Sequence, residues 1–329
     1  MVTTRFSMWR TVTAAVLAAR PAVALRPARR PQLTDIRPSV AIVIPAHNEE
    51  LFIGSCLESC LHQTSPPDEI IVVNNRSTDG TESIVRRYQA QQPQMGICLL
   101  DQSETQGIAP TRNRGFDHAR SDVIGRVDAD SVIATDWVAT VRRRFAEPKI
   151  AAATGPVSYY DMPIRRLFFR MDCMVRAWLR FSCSDQPFLL GANMAIRSSA
   201  WRAVREQTRL DPEDLLHEDI DLALTLFENH FNVCYEPTLI AATSGRRLEC
   251  SPREFYRYAT RYSRTITAHG GKSRAARTTI AVLLVGYFPA RVLRFFYDTD
   301  NRRPTVSQLR AAPHRDPVRA HAAQPPTGR

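Results

Sequence analysis

Four short apolar-leaning runs, Val40–Ile44, Glu69–Val73, Ile97–Leu100 and Val123–Val127, are separated by segments whose apolar residues recur at helical spacing. A continuous apolar run of this length is the pattern of a strand buried on both faces. Strands alternating with helices over residues 40–130 predict an α/β layer built on a mostly parallel sheet. After the first run, Asn48-Glu49-Glu50 open a helix that places Phe52, Ile53, Cys56, Leu57, Cys60 and Leu61 on one face, and Pro66-Pro67 end it. A polar turn at 74–80 leads to a helix through Ile84, Val85 and Tyr88. A further helix is expected over 107–120, with Ala109, Asn113, Phe116 and Ala119 near one face. The segment holds no G-x-G-x-x-G and no G-x-x-x-x-G-K-[ST], so neither a dinucleotide fingerprint nor a P-loop is indicated.

The fourth run ends in Asp128-Ala129-Asp130. Carboxylates at i and i+2 point the same way on an extended chain. Two like charges side by side repel unless a cation sits near them. A hard ion held by few carboxylates, with phosphate oxygens completing its shell, is the usual arrangement for Mg2+ or Mn2+. Asp-x-Asp is common in loops and helix caps, so its weight comes from context. Here a strand precedes it. A helix signal follows, with Thr135 as cap and Trp137, Val138 and Val141 at helical spacing. Open α/β sheets bind ligands at the carboxyl ends of their strands, where this pair falls.

Downstream, strands are expected over 151–160, 188–197 and 233–240, and a helix opens at His217-Glu218-Asp219. Gly191, inside the second of these, marks a place where backbone must pass close to something. Residues 164–181 form a basic amphipathic stretch that fits either a packing helix with a wet arginine face or a helix lying on a membrane. Phe255, Tyr258, Ala259 and Tyr262 fit one helix. Residues 280–296 read as an amphipathic or packing helix broken by Pro289, with a tethered membrane segment as the minority alternative. The first 37 residues are expected to be a disordered basic arm, with a membrane-touching arm and a targeting peptide as alternatives; a disordered tail is expected at 299–329.

The chain has 329 residues, 44% of them hydrophobic, and a formal net charge of +11. The basic excess suits nucleotide phosphates or an anionic membrane surface. No recognised nucleic-acid module is visible, and nucleic acid is not expected as a partner. Seven scattered cysteines without a C-x-x-C pair point to free thiols in a reducing, cytoplasmic setting.

Four stretches now fall together: IVIPAHNEE at 42–50, EIIVVNNRSTDGT at 69–81, VDADS at 127–131 and HEDIDLAL at 217–224. In this order the sequence resembles a family-2 glycosyltransferase of GT-A fold, non-processive and inverting, across residues 38–247. GIAPTRNRGFDHA at 107–119 and GAN at 191–193 also resemble the family pattern. The resemblance implies a catalytic domain at 38–247, with a nucleotide-sugar half (38–130) and an acceptor half (131–247), and a helical extension at 248–298. It implies transfer of a single sugar from a nucleotide-diphosphate sugar to an acceptor hydroxyl (lipid-linked, glycan or small metabolite), as in cell-envelope or glycan biosynthesis. Peripheral contact with the inner face of the membrane goes with the lipid-linked option.

By the same resemblance, Pro45, Ala46, Asn48 and Glu49 would line the nucleotide pocket, with Asn75 and Asp79 at the base. Arg112 or Arg114 would clamp phosphates. Asp130 would be the direct metal ligand, and Asp128, beside Ala129, would hold the ribose or a metal-bound water. Asp219 would be the general base, Glu218 would orient the acceptor or a loop, and Gly191, Ala192 and Asn193 would line the acceptor floor. The chain departs from the pattern at Asn74-Asn75, where the family commonly carries aspartate. It also lacks the Gln/Arg-x-x-Arg-Trp motif of processive synthases. No histidine stands near 243–247 to serve as a further metal ligand, and His269 is the remaining candidate before the tail. The competing expectation is a catalytically silent nucleotide-sugar-binding or scaffold protein.

Overall fold

The computed structural model describes residues 37–182, 188–271, 274–298 and 303–305. The expected arm before Arg37, most of the expected tail and Cys183 lie outside the described residues. The first half alternates as the apolar runs predict: β1 (Val40–Ala46), α1 (Ile53–Leu61), β2 (Glu69–Asn74), α2 (Thr81–Gln91), β3 (Ile97–Asp101), α3 (Ile108–His118) and β4 (Val123–Arg126). Then follow β5 (Val132–Ile133), α4 (Trp137–Phe145), β6 (Ile150–Thr154), β7 (Val157–Tyr159), α5 (Arg165–Ser182), β8 (Met194–Arg197) and α6 (Ser198–Val204). The chain continues through α7 (Glu218–Glu228), β9 (Asn232–Tyr235), β10 (Ala241–Thr243), α8 (Pro252–Ala268), α9 (Arg274–Phe295) and a short pair, β11 (Tyr297–Asp298) with β12 (Arg303–Pro304).

The main sheet has the order β3-β2-β1-β4-β8-β6-β9. Strands β3, β2, β1 and β4 are parallel, β8 runs antiparallel to both neighbours, and β9 is parallel to β6. The period of two along β1 divides the core. Val40, Ile42 and Ile44 face a layer made with α1 and α4, through Ile53, Leu57, Trp137 and Val141. Ala41 and Val43 face the opposite layer, with Phe116 of α3, Trp201 of α6 and Leu222 of α7. A second, three-stranded sheet joins β5, β10 and β7.

Four sequence expectations are corrected. Of the strand expected at 233–240 only the segment Asn232–Tyr235 is extended, and the next strand, Ala241–Thr243, belongs to the small sheet. The strand expected over 151–160 is split at Gly155-Pro156, and its second part joins the small sheet. A Cβ on Gly155 would lie 1.8 Å from the Leu239 carbonyl oxygen, so the chain crosses itself there and cannot continue in one ladder. Of the strand expected at 188–197 only Met194–Arg197 is extended, because 191–193 form a turn closed by Asn193 N–H donating to Leu190 O at 2.8 Å. Pro289 does not break α9 but sits inside it.

Close approaches at glycine hold the two layers to the sheet. A Cβ on Gly125 of β4 would fall 2.5 Å from the Trp137 ring, and one on Gly115 of α3 would fall 2.4 Å from Val43. Trp137 is fully buried and its indole N–H donates to Asn193 at 2.8 Å. Overpacking a close-packed core forces side chains off their rotamers. Gly125→Ala is therefore expected to destabilise the protein by about 2 kcal/mol, seen as a lower urea midpoint at unchanged m-value, with a change in Trp137 fluorescence.

Candidate active site

The carboxyl ends of β1 and β4 lie side by side because the two strands pair in parallel. Val127 N–H donates to Val43 O, and the chain then turns, with Ser131 N–H donating to Asp128 O at 2.8 Å. Ala129 is buried in the core layer, which leaves its two neighbours for the cleft. The turn, rather than an extended chain, sends them to different cations. Asp128, 38% exposed, accepts from Arg126 at 3.0 Å. Asp130, largely buried, pairs with Arg246 at 3.0 Å and accepts from the Thr243 hydroxyl at 3.1 Å. The Tyr160 hydroxyl donates to the Asp130 carbonyl.

Arg246 lies on the single helical turn Arg246–Glu249, and sequence reasoning passed over it while looking for a histidine there. Its guanidinium covers the Phe52 ring at 4.8 Å and also reaches Glu49 at 2.5 Å. Burial pushes the Glu49 carboxyl up to about 7, against the lowering effect of Arg246. Burial likewise raises Asp130. The second Glu49 oxygen, Oε2, is buried with no partner. The charges of Asp130 and Asp128 act on Glu49, and carboxylate oxygens are the donor type a hard divalent cation takes.

The second half of the site hangs on Arg126, the last residue of β4. One guanidinium nitrogen donates to Asp128 and another to Glu218 at 2.7 Å. Arg112, wholly enclosed, donates to Glu218 at 2.9 Å and to the Glu218 carbonyl at 2.8 Å. Burial would raise Glu218, but Arg126 and then Arg112 outweigh it and hold this carboxyl below its usual value. Next to it, Asp219 moves the other way. Burial first, and the charge of Glu218 second, lift it to about 7, although Gly191 and Ile220 N–H groups donate to it at 2.9 and 2.8 Å. Neighbouring carboxylates whose surroundings push their pKa values apart are a signature of divided acid–base roles.

Gly191 is required by Arg126: a Cβ there would lie 2.4 Å from the guanidinium. This agrees with the expectation of a close backbone approach. His217 stands at the N-cap position of α7 without a side-chain capping bond, and burial brings it down to about 4, so it is neutral at physiological pH. Its ring meets the Tyr258 ring edge-on at 4.8 Å, and Arg247 covers the other aromatic approach to Tyr258 at 4.5 Å. The C-terminal extension thus reaches the site through α8. Neither Tyr258 nor Arg247 was marked by any sequence motif.

The structure gives most of the expected site residues partners within the protein. The Arg112 guanidinium is enclosed and engaged with Glu218 and Asn113, while Arg114 is exposed. Both Glu218 oxygens receive arginine donors. Asn193 is fully buried and joins Trp137 to the carbonyls of Pro156 and Leu239, so it is a core brace rather than an acceptor floor. Ala192, between the two, stays partly exposed. The Asn75 amide is engaged with the carbonyls of Gln102 and Thr105 and with Gly107 N–H; it holds the 102–107 loop instead of presenting an edge to a base. Asp79 caps the start of α2 through Thr81 and accepts from Glu50 N–H. Asn48, at φ 53°, receives Thr78 N–H. Pro45 and Ala46 are buried at the end of β1. His269 is engaged with Asp221 at 2.9 Å and Glu228 at 2.7 Å. Among the described residues no cluster of three or more histidine, cysteine, aspartate or glutamate side chains has the spacing of a complete metal cage.

Removing one partner of a buried ion pair leaves an uncompensated charge. Glu218→Gln strands two enclosed guanidinium groups and is expected to cost about 3–5 kcal/mol, measured by urea unfolding. Because the folded pKa of Glu218 is depressed, its contribution is present above the unfolded value of 4.5 and is lost as pH falls through the folded value. The gap between wild type and Glu218→Gln should therefore narrow in acid.

Residues 41–208, just over half of the chain, match the sequence profile of glycosyl transferase family 2. The glycosyltransferase AglE of Haloferax volcanii is 32% identical over 108 residues, covering 32% of this chain and 35% of the relative. YdaM of Bacillus subtilis, named a probable glycosyltransferase, is 26% identical over 242 residues, covering 69% of this chain and 55% of the relative. The chain thus spans about half or less of the length of these curated relatives. Among solved structures, a mannosyltransferase of Pyrobaculum calidifontis in complex with GDP-Man and Mn2+ superposes with a TM-score of 0.58 at 20% identity, covering 88% of this chain and 82% of that one. Glucosyl-3-phosphoglycerate synthase of Mycobacterium tuberculosis, in complex with phosphoglyceric acid, superposes with a TM-score of 0.50 at 15% identity, covering 75% and 88%. With its α/β sheet, its paired carboxylates at the end of β4 and its Glu218-Asp219 helix start, the chain belongs to glycosyl transferase family 2 and has the GT-A fold.

Proposed function

We propose that the protein is a metal-dependent, inverting glycosyltransferase that moves one sugar from a nucleotide-diphosphate sugar to an acceptor hydroxyl. We read residues 38–130 as the donor half, 131–247 as the acceptor half and 248–298 as an extension that closes the site. A cytoplasmic location goes with that donor and with the free thiols at Cys56, Cys60, Cys98, Cys173 and Cys234. The observation that carries the reading is the chain of contacts Asp128–Arg126–Glu218. It joins the acidic cluster at the end of β4 to a helix start where Asp219 titrates at about 7.

Each residue then has chemistry suited to its place. Asp128 and Asp130, with Glu49 beside them, would hold a divalent cation, Mg2+ or Mn2+, and face the diphosphate end of the donor. When bound, such an ion supplies Lewis-acid stabilisation of the departing diphosphate. Arg246 supplies positive charge at the same carboxylates. Asp219 accepts the proton of the acceptor hydroxyl as its oxygen attacks the anomeric carbon from the face opposite the leaving group. A general base is most effective when its pKa lies near the working pH, and burial beside Glu218 brings Asp219 there. Gly191 N–H and Ile220 N–H fix the direction of its carboxylate. Arg126 and Arg112 keep Glu218 ionised, which sustains the raised pKa of its neighbour.

Asp219→Asn should abolish transfer while leaving nucleotide binding within a few-fold of wild type, measured by single-turnover assay and calorimetry; undiminished turnover would remove Asp219 from the role of base. In the wild type, kcat/KM should rise through an apparent pKa near about 7. The folded protein holds this proton more tightly than the unfolded chain. The group therefore favours the folded state fully below the unfolded value of 3.8 and loses that contribution as pH rises through about 7. Asp219→Asn should accordingly raise the thermal midpoint more at pH 8 than at pH 4.

A thermal-shift screen of nucleotide sugars with Mn2+ or Mg2+ identifies the donor, since ligand binding raises apparent stability by mass action. Asp130→Asn is expected to abolish the metal-dependent part of that shift. A donor bound but never transferred to any acceptor would identify a silent nucleotide-sugar-binding protein instead.

A further inference from the structure

We propose that the outward faces of α5 and α9 form one docking surface for an anionic lipid bilayer, on which the two helices lie flat. Both helices are amphipathic in the reverse sense to a water-facing helix. On α5, Leu167, Met171, Met174 and Trp178 are exposed at spacings of three and four, with Met174 at 70%. Its acidic residue, Asp172, is turned inward, where it pairs with Arg176 at 2.5 Å and accepts from Val157 N–H. On α9, Val282, Val285, Phe288, Val292 and Phe295 are exposed, with Val285 at 76%. The arginines of its last turns point into the protein. Arg294 is largely buried against Asp161 at 3.0 Å and Glu249 at 2.7 Å, and Arg291 reaches the Tyr287 hydroxyl and the Cys250 carbonyl. A helix that turns its acid or its last arginines inward and shows hydrocarbon on its outer stripe is matched to an apolar medium on that stripe rather than to water.

The two stripes are neighbours. Helix α9 touches α5, and Val175 and Leu284 from their inner sides pack on the same cluster as Phe188, Ala259 and Ile280. The rim is cationic: Arg166, Arg170 and Arg277 are exposed, and α9 contains no acidic residue. A contiguous apolar face with an arginine rim and inward-turned acids complements anionic headgroups over acyl chains. By length and composition Ala276–Phe295 would suffice to cross a membrane. The ties of Arg294, and the Tyr287 ring stacked on Phe255 at 4.3 Å, hold its inner side to the protein along its length. The helix therefore lies on the surface and does not span.

The same ties connect the docking face to the candidate active site. Asp161, held by Arg294, accepts from the Ser244 hydroxyl and Gly245 N–H, immediately before Arg246. If the transferase reading holds, on which this last step rests, the surface brings the site to acceptors carried on lipid.

The test is sedimentation of the full chain with sucrose-loaded vesicles of phosphatidylglycerol and phosphatidylcholine, against vesicles of phosphatidylcholine alone. Expected are binding that favours the anionic vesicles and weakens with salt, and at least a tenfold lower partition coefficient for Val285→Glu/Phe288→Glu and for Met174→Glu. Arg166→Gln/Arg170→Gln should reduce the preference for anionic vesicles and flatten the salt dependence. Circular dichroism and the thermal midpoint of each variant should match wild type. Absence of vesicle binding by the wild type, or binding that these substitutions leave unchanged, overturns the proposal. So does a wild-type dimer in analytical ultracentrifugation that the same substitutions dissociate, since the face would then belong to a second copy. Vesicle binding is read without turnover, so its failure is distinct from failure of the transferase reading.

Discussion

The guanidinium of Arg126 is the element on which the site depends. It is buried at the end of β4, where a lone charge would be prohibitive, and it is stable there because Glu218 and Asp128 flank it. Burial would lower its pKa, but Glu218 first and Asp128 second reverse the effect. One residue thereby determines the relative positions of two acidic motifs that lie about ninety residues apart in sequence. Its seat exists because position 191 has no Cβ. The glycine, the arginine and the acid of helix α7 are a single packing solution written in three distant places.

The carboxylates around this arginine are sorted by environment rather than by residue type. Glu218 has two guanidinium partners and stays ionised. Asp219, one residue on, has backbone N–H donors and a charged neighbour, and rises to about 7. Glu49 also rises to about 7, beside Arg246 and an acidic pair. In an interior of low polarity the same functional group is a fixed anion in one place and a proton acceptor near neutrality in another. That sorting gives adjacent acids of one cluster opposite affinities for a proton.

Much of the fold was legible from residues 40–130. Parallel strands buried on both faces must be continuous apolar runs, and the intervening helices show one apolar face each. The Asp128-Ala129-Asp130 stretch was legible for the same reason: it ends a strand at the edge where such sheets bind ligands. The second half was harder. Whether Ala151–Tyr160 is one strand or two depends on the crossing of Gly155 over Leu239, which no local pattern records. The partners of Asn75, Asn193, Arg112 and Glu218 were not legible, because motif position says nothing about where a polar side chain finds its partners. In each case a buried amide, guanidinium or carboxylate had to be satisfied within the protein, and the nearest partners came from other elements.

Sequence alone determined the α/β class, the strand order at the start of the chain, the family resemblance and the identity of the acids. These follow from periodicity and from short motifs, which are properties of neighbours along the chain. Only the tertiary structure decided which of those acids are held ionised, that Arg246 and Tyr258 join the site, and that α5 turns its one acid, and α9 its C-terminal arginines, inward. A helical wheel drawn from sequence gives the stripes but not which stripe meets the core. For α9 that was settled by Arg294, itself largely buried, whose partners Asp161 and Glu249 lie far away in sequence. Desolvation and pairing depend on what lies across space, and that is the information a linear pattern does not contain.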